Sequence, residues 1–198
     1  MKQDKNGFTL VELIIVISIM TILLGLLIPS LNSLFGFEAQ KATDRIKAAL
    51  SKTKVEAMNR LVGEMKLEYR ENGYYITYYL DRGKESRTGT SLPSEEVKIA
   101  SSKVNISYKV SGDMVEKEMK DTATDSLILT YNRENGAFRN IQTAIVTPNE
   151  VQEAVNRNQN ISFHDSAVYC EWIKIQCGLR TRTIVLQREN GSYTIETN

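Results

Sequence analysis

Asn6-Gly7-Phe8-Thr9-Leu10-Val11-Glu12-Leu13 opens an apolar run that continues to Pro29. From Phe8 to Ile28 the only charged side chain is Glu12, and Thr9, Ser18 and Thr21 are the only other polar ones. Their hydroxyls can bond back to carbonyls one helical turn earlier. An apolar helix of about 20 residues spans the roughly 30 Å hydrocarbon core of a bilayer. A carboxylate inside that core costs on the order of 2.5–3.5 kcal/mol on insertion scales. Glu12 therefore needs a partner, and an ordinary membrane anchor would not place a glutamate at its fifth position. Lys2 and Lys5 precede the run, which puts that end on the cytoplasmic side by the positive-inside rule. A secretory signal peptide is excluded on two counts: the apolar core is too long, and no Ala-x-Ala cleavage pattern follows it.

Gly7-Phe8-Thr9-Leu10-Val11-Glu12 resembles the class III prepilin cleavage site of type IV pilins and type II secretion pseudopilins. The resemblance implies that a prepilin peptidase cuts between Gly7 and Phe8 and N-methylates Phe8. It also implies that Glu12 sets axial register during assembly, and that Pro29 interrupts or kinks the helix. Asp4 makes the leader less basic than in some members. Cleavage creates an α-amine at Phe8, one helical turn from Glu12. The opposite charges each need pairing in a low-dielectric environment. The pair can form within a chain or between neighbours; the family is thought to use the second.

Net charge is +1, from 25 basic and 24 acidic side chains. Losing residues 1–7 removes Lys2, Lys5 and Asp4 and leaves the chain balanced. No overall bias toward nucleic acid or acidic partners follows. Three prolines and no low-complexity tract exclude a long disordered linker.

Beyond Pro29, Leu31, Leu34, Phe35, Ala39, Ala42, Ile46, Ala49, Leu50, Ala57, Met58 and Leu61 recur at helical spacing. Lys41, Asp44, Arg45, Lys47, Lys52 and Lys54 fall mostly elsewhere. This periodicity predicts one helix from about Phe8 to Leu61, with Gly36 loosening its middle and Gly63 as its stop. At roughly 1.5 Å per residue it is about 80 Å long. Its second half needs a sheet to cover the apolar stripe.

The remainder reads as strands and turns. Met65–Arg70, Asn72-Gly73 and Tyr74–Leu80 predict a tight hairpin, with Asn-Gly supplying positive φ. Its tyrosines, Tyr74, Tyr75, Tyr78 and Tyr79, divide into one pair in the core and one outside. Val97–Ala100 and Val104–Val110 are short strands, and 112–125 is a charged loop. Leu127–Tyr131, Asn135-Gly136 and Ala137–Ile141 predict a second hairpin, and Pro148–Asn156 a short helix. Val168–Gln176, Thr183–Gln187, Asn190-Gly191 and Ser192–Glu196 complete the chain. The expected class is α+β: a long N-terminal helix, its hydrophobic half transmembrane, packed on a C-terminal antiparallel β-sheet domain, the pilin fold. The expected organisation is a leader at 1–7, a membrane or filament-core helix at 8–30, an amphipathic continuation at 31–62 and a β domain at 63–198.

The layout is also similar to FimT-type minor pilins and H-type minor pseudopilins. The similarity runs through Lys54–Arg60 into Met65–Glu68, through Leu127–Phe138, and through Arg180–Leu186 to Gly191–Ile195. It implies a structural filament subunit of a type IV pilus, a type II secretion apparatus or a competence pseudopilus. It implies four partners: the prepilin peptidase, other pilin subunits, an inner-membrane assembly platform and membrane lipid. The implied location is the cytoplasmic membrane as a single pass, N-terminus inside and C-terminal domain outside, and then a cell-surface or periplasmic filament.

Sites of other kinds are sparse. The single histidine, His164, has no second His and no Cys at ligand spacing, so no metal site or cofactor is expected. No Gly-rich phosphate loop or nucleophile elbow is present, and enzymatic activity is not expected. Cys170 and Cys177 lie about 23 Å apart on an extended strand at roughly 3.3 Å per residue. A disulfide needs Cα atoms within about 7 Å, and Glu171–Gln176 has no Gly or Pro for a turn. The expectation is two free thiols on opposite sheet faces.

Arg180 and Arg182, with Lys174 and Arg188, make the densest basic cluster. FimT-type pilins capture DNA through a Gly-Arg-x-Arg loop. Here Gly178-Leu179-Arg180-Thr181-Arg182 carries one extra residue after the glycine. Two readings stand side by side: a solvated strand edge, or a DNA contact that is weak and salt-dependent with so few phosphates engaged.

Overall fold

The structure, a computed structural model, describes residues 9–84, 95–120 and 125–197, apart from the side chains of 26–34. Helix α1 runs from Leu10 to Asn59, about 75 Å at roughly 1.5 Å per residue. Thr9 is its N-cap and forms a capping box with Glu12. The Ser18 and Thr21 hydroxyls donate to the Ile14 and Ile17 carbonyls, each at 2.8 Å, as expected. The helix continues through Pro29.

Strands β1 (Val62–Arg70), β2 (Gly73–Asp81), β3 (Glu95–Ser101), β4 (Asn105–Val110), β5 (Lys117–Glu118) and β6 (Ser126–Thr130) follow. Helix α2 (Pro148–Asn156) and strands β7 (Cys170–Cys177), β8 (Arg180–Gln187) and β9 (Ser192–Thr197) complete the order. The class is α+β, a helix packed on antiparallel sheets, consistent with a pilin fold.

The expected single sheet is two. One has the order β3-β2-β1-β6 and the other β5-β4-β7-β8-β9. Ser102-Lys103-Val104 carries the chain from the edge of the first into the second. Tyr74 then ties the sheets together. From β2 its hydroxyl accepts from the Ile106 N–H at 3.1 Å and donates to the Met119 carbonyl at 3.0 Å.

Both sheets rest on the second half of α1. The buried face is Ala39, Ala42, Thr43, Ile46, Ala49, Leu50, Thr53 and Ala57. Most of these are small, so strand backbones approach the helix axis closely. The two threonines lie between the apolar positions of the stripe. Thr43 belongs there because its hydroxyl donates to the Ala39 carbonyl at 2.7 Å. Met58 is 42 % exposed, so the stripe ends before it.

The helix stops at Asn59, before Gly63. Gly63 lies inside β1, where a Cβ would sit 2.6 Å from the Ala57 Cα. Its role is close approach of strand to helix, not termination. The first hairpin is displaced by one residue from the expected turn. Arg70 pairs with Gly73, so Glu71-Asn72 form the turn, with Glu71 at φ 38°. Gly73 is needed for a different reason: a Cβ there would strike the Ala100 carbonyl of β3.

Tyr74 and Tyr78 are in the core, and Tyr75 and Tyr79 are half-buried on the other face, as the alternation requires. The segment expected as a second hairpin strand, Ala137–Ile141, forms no strand: it makes the isolated bridge Tyr131↔Phe138, and Ile128↔Gln142 follows just beyond it. The Phe138 N–H bonds to the Arg188 carbonyl at 3.0 Å, so this segment is shared with the end of β8. The expected charged loop contains β5 and the fully buried Met119.

Cys170 and Cys177 are free, but both are buried rather than on opposite faces. Lys109 pairs with Trp172 while Val110 pairs with Cys170. That bulge inserts a residue into β7 and reverses its alternation.

Replacing Gly63 by Ala should destabilise the chain by about 1–3 kcal/mol, because the contacted Ala57 atoms are backbone. Gly112, at φ 86° with open space around it, should lose only about 1 kcal/mol on the same change. Denaturant titration of the full chain in detergent would rank the two, and equal losses would contradict the close approach.

Candidate functional site

The N-terminal half of α1 has no covering element among the described residues. From Leu10 to Leu24 every large apolar side chain is at least half exposed. A contiguous apolar surface of this kind marks a partner or a lipid phase. Among the described residues no helix is long and apolar enough to cross a membrane, and the described side chains of the run end at Gly25. Glu12 stands at the start of this surface. Its carboxylate accepts from the Thr9 N–H and the Thr9 hydroxyl, both at 2.9 Å. The Glu12 N–H donates back to the Thr9 oxygen at 3.2 Å. The partner that the sequence demands for Glu12 is thus, within one chain, its own helix cap. The carboxylate is turned toward the N-terminal end of the helix. Gly7 and Phe8 themselves lie outside the described residues.

The basic cluster near the C-terminus is divided. Lys174 pairs with Glu116. Arg188 bonds to Asn140 and stacks on Tyr169 at the far end of β8. Arg180 and Arg182 remain neighbours at the start of β8, and both face α1. The Gly178-Leu179 turn, with Gly178 at φ 57°, sits on the Phe35 ring. A Cβ added at Gly36 would be 3.7 Å from the Arg180 Cγ. Arg182 donates to the Gln40 side-chain oxygen at 3.4 Å. The pair thus occupies the point where α1 leaves the β domain.

The family model of the prokaryotic N-terminal methylation motif matches residues 2–28. The N-terminal segment bears a prepilin-type motif, consistent with the type IV pilin and pseudopilin family. The matched segment carries a class III prepilin signal, includes Gly7, Phe8 and Glu12, and ends one residue before Pro29. No curated protein and no solved structure matches the chain. The prepilin signal implies processing by a prepilin peptidase and assembly with other pilins.

In the β domain, one buried carboxylate was missed by sequence reasoning. Glu64 precedes the strand expected from Met65, yet it lies inside β1 and is fully buried on the face away from α1. One oxygen accepts from the Val146 N–H at 2.9 Å and the other has no partner. It sits beside the Val62, Val146 and Val151 cluster beneath α2. Burial is the main reason its pKa is pushed up to about 7, with the Val146 bond and Arg139 opposing, and Glu150 and Asp165 adding to the rise.

His164 joins this same region: its Nε2 donates to a Glu150 carboxylate oxygen at 3.0 Å. It is a half-exposed partner of the α2 capping box rather than a free loop residue. Burial raises both cysteine thiols above their ordinary range, which keeps them protonated.

Glu64 generates a pH dependence of definite sign. The folded chain holds its proton up to about pH 7, whereas the unfolded chain releases it near 4.5. Stability should therefore fall as pH rises from about 4.5 to 7, by on the order of 3 kcal/mol in all. Glu64→Gln should flatten that limb of the stability–pH curve in chemical denaturation. An unchanged slope would mean that Glu64 does not titrate in this window.

Proposed function

We propose that this chain is a minor pilin or pseudopilin, a structural subunit of a filament of the type IV pilus, type II secretion or competence kind. The observation that carries the proposal is the pairing of two features on one helix. The apolar half of α1 has no cover among the described residues of its own chain, and a single carboxylate stands at its start inside the prepilin signal.

In this reading residues 1–7 are removed and residues 8–30 anchor the precursor in the cytoplasmic membrane. Residues 31–62 and 63–198 form the head outside it. Cutting between Gly7 and Phe8 exposes an α-amine that is then N-methylated. Thr9 already holds Glu12 facing that end of the helix. On assembly the Glu12 carboxylate exchanges its own cap for the amine of a neighbouring subunit, while the apolar side chains exchange lipid for adjacent helices. Pro29 gives the helix one position without a backbone N–H donor, and hence a place to bend.

The strand pattern of the head is what supports a FimT-type or H-type layout in this reading. DNA capture through Arg180 and Arg182 is the weaker reading, since both side chains run along the stem and Arg182 is engaged with Gln40.

Mass spectrometry of the chain from a host with an active prepilin peptidase should find an N-terminus at N-methylated Phe8. A chain still starting at Met1 would defeat the proposal. Glu12→Ala should leave membrane retention intact and reduce filament incorporation. Stranding the amine in low dielectric costs on the order of 3 kcal/mol, which corresponds to about a hundredfold. Normal incorporation of this variant would remove Glu12 from the mechanism.

A further inference from the structure

Three turns meet at the end of the head from which α1 departs. Glu71-Asn72 joins β1 to β2, Ser102–Val104 joins β3 to β4, and Gly178-Leu179 joins β7 to β8. Ser102 N–H donates to the Asn72 carbonyl at 3.2 Å. The Cys177 thiol lies 3.6 Å from the Lys103 carbonyl. Gly178 rests on Phe35. Together they form a rim around the stem.

The chemistry of this rim contrasts with the centre of the first sheet's outer face, where Lys66 and Arg70 pair with Glu68, and Arg70 also with Glu96. On the rim, Lys103 and Arg180 have no carboxylate partner among the described residues. Leu179, at the tip of its turn, is 86 % exposed, and Phe37 on the adjoining turn of α1 is 61 % exposed. Glu38 and Glu71 are the acids of the rim, and Glu38 acts on Cys177 with opposite sign to Lys103.

Position completes the picture. Residue 30, the end of the proposed anchor, lies five residues before Phe35, or roughly 7.5 Å of helix rise. The polar layer of a bilayer is about 5–8 Å thick on each side, from the difference between its total and hydrocarbon thickness. The Gly178-Leu179 turn is therefore held at headgroup depth by its contact with Phe35.

We propose that the stem-proximal rim is a docking surface for anionic phospholipid headgroups, with Arg180 and Lys103 receiving phosphate and Leu179 entering the interface. The proposal rests on residues 8–30 being a membrane anchor. A guanidinium presents paired donors to phosphate oxygens, and an exposed apolar tip flanked by cations is the pattern of interfacial binding. Docking holds the head against the membrane before assembly, and transfer into a filament must release it.

The test uses the full chain in liposomes of phosphatidylcholine with and without phosphatidylglycerol. Leu179→Trp in a Trp172→Phe background reports contact through quenching by brominated lipids. If the background change impairs folding, Leu179→Trp alone is compared with the unmodified chain. Quenching should be stronger in the anionic vesicles. In them, Arg180→Ala with Lys103→Ala should lower the ratio of docked to undocked heads roughly thirty-fold, two cations each acting near an anionic surface.

Equal quenching in both lipids, or no effect of the double variant, overturns docking when the chain still resists alkaline carbonate extraction. Extraction of the unmodified chain by carbonate instead overturns the anchor itself. A gel shift with a short DNA duplex that the double variant abolishes, alongside quenching indifferent to lipid charge, assigns these cations to nucleic acid and overturns the proposal.

Discussion

The head depends on one narrow face of α1. Ala39, Ala42, Thr43, Ala49, Thr53 and Ala57 keep the helix thin where two sheets converge on it. Close packing of this kind leaves no room for added atoms. Gly63 is the extreme case, where β1 passes over Ala57 with no Cβ between them. The sheets share no ladder; the helix, the Tyr74 hydroxyl and the segment around Phe138, which bonds to both β6 and the end of β8, tie them together. Ile46 and Leu50 supply the bulk between the small residues. The face thereby serves as a spine as well as a spacer.

The same helix meets a different condition one half earlier. There the apolar side chains are large and face outward, and nothing described in the chain covers them. A surface of that kind is stable in lipid or among like helices, and unstable in water. Glu12 is tolerable at its start because Thr9 satisfies the carboxylate locally. In the proposed reading, that arrangement lets one sequence serve two environments, with the cap replaceable by a better donor placed nearby. Glu64 is the opposite case. Its carboxylate is enclosed by tertiary packing with one oxygen unsatisfied, so it responds by holding its proton rather than by changing partner.

Much of the fold was legible in particular residues. Ala39 to Ala57 announced the buried stripe through helical spacing. The short helix expected over Pro148–Asn156 is α2, and the structure adds its Thr147–Glu150 capping box. The tyrosine pairs of β2 divided by alternation. The misreadings have a common cause. Asn72-Gly73 carries the turn signature, yet the turn falls at Glu71-Asn72 because the crossing of β3 sets where Gly73 must lie. Cys170 joins Cys177 in the interior because a bulge opposite Lys109 and Val110 reverses the phase. Of the four basic residues grouped by sequence proximity, only Arg180 and Arg182 remain together. Lys174 found Glu116, and Arg188 found Asn140 and Tyr169.

By itself, then, the chain's local order determined the prepilin signal, the long helix, the strand-rich remainder and the helical character of Pro148–Asn156. Those features rest on interactions between residues three or four apart, or on alternation along one strand, and such interactions are written in sequence. Tertiary structure alone decided the division into two sheets, the burial of Glu64, the phase of β7 and the placement of Arg180 and Arg182 against the stem. Each of these depends on contacts between segments tens of residues apart. Packing selects them, and local pattern carries no record of them.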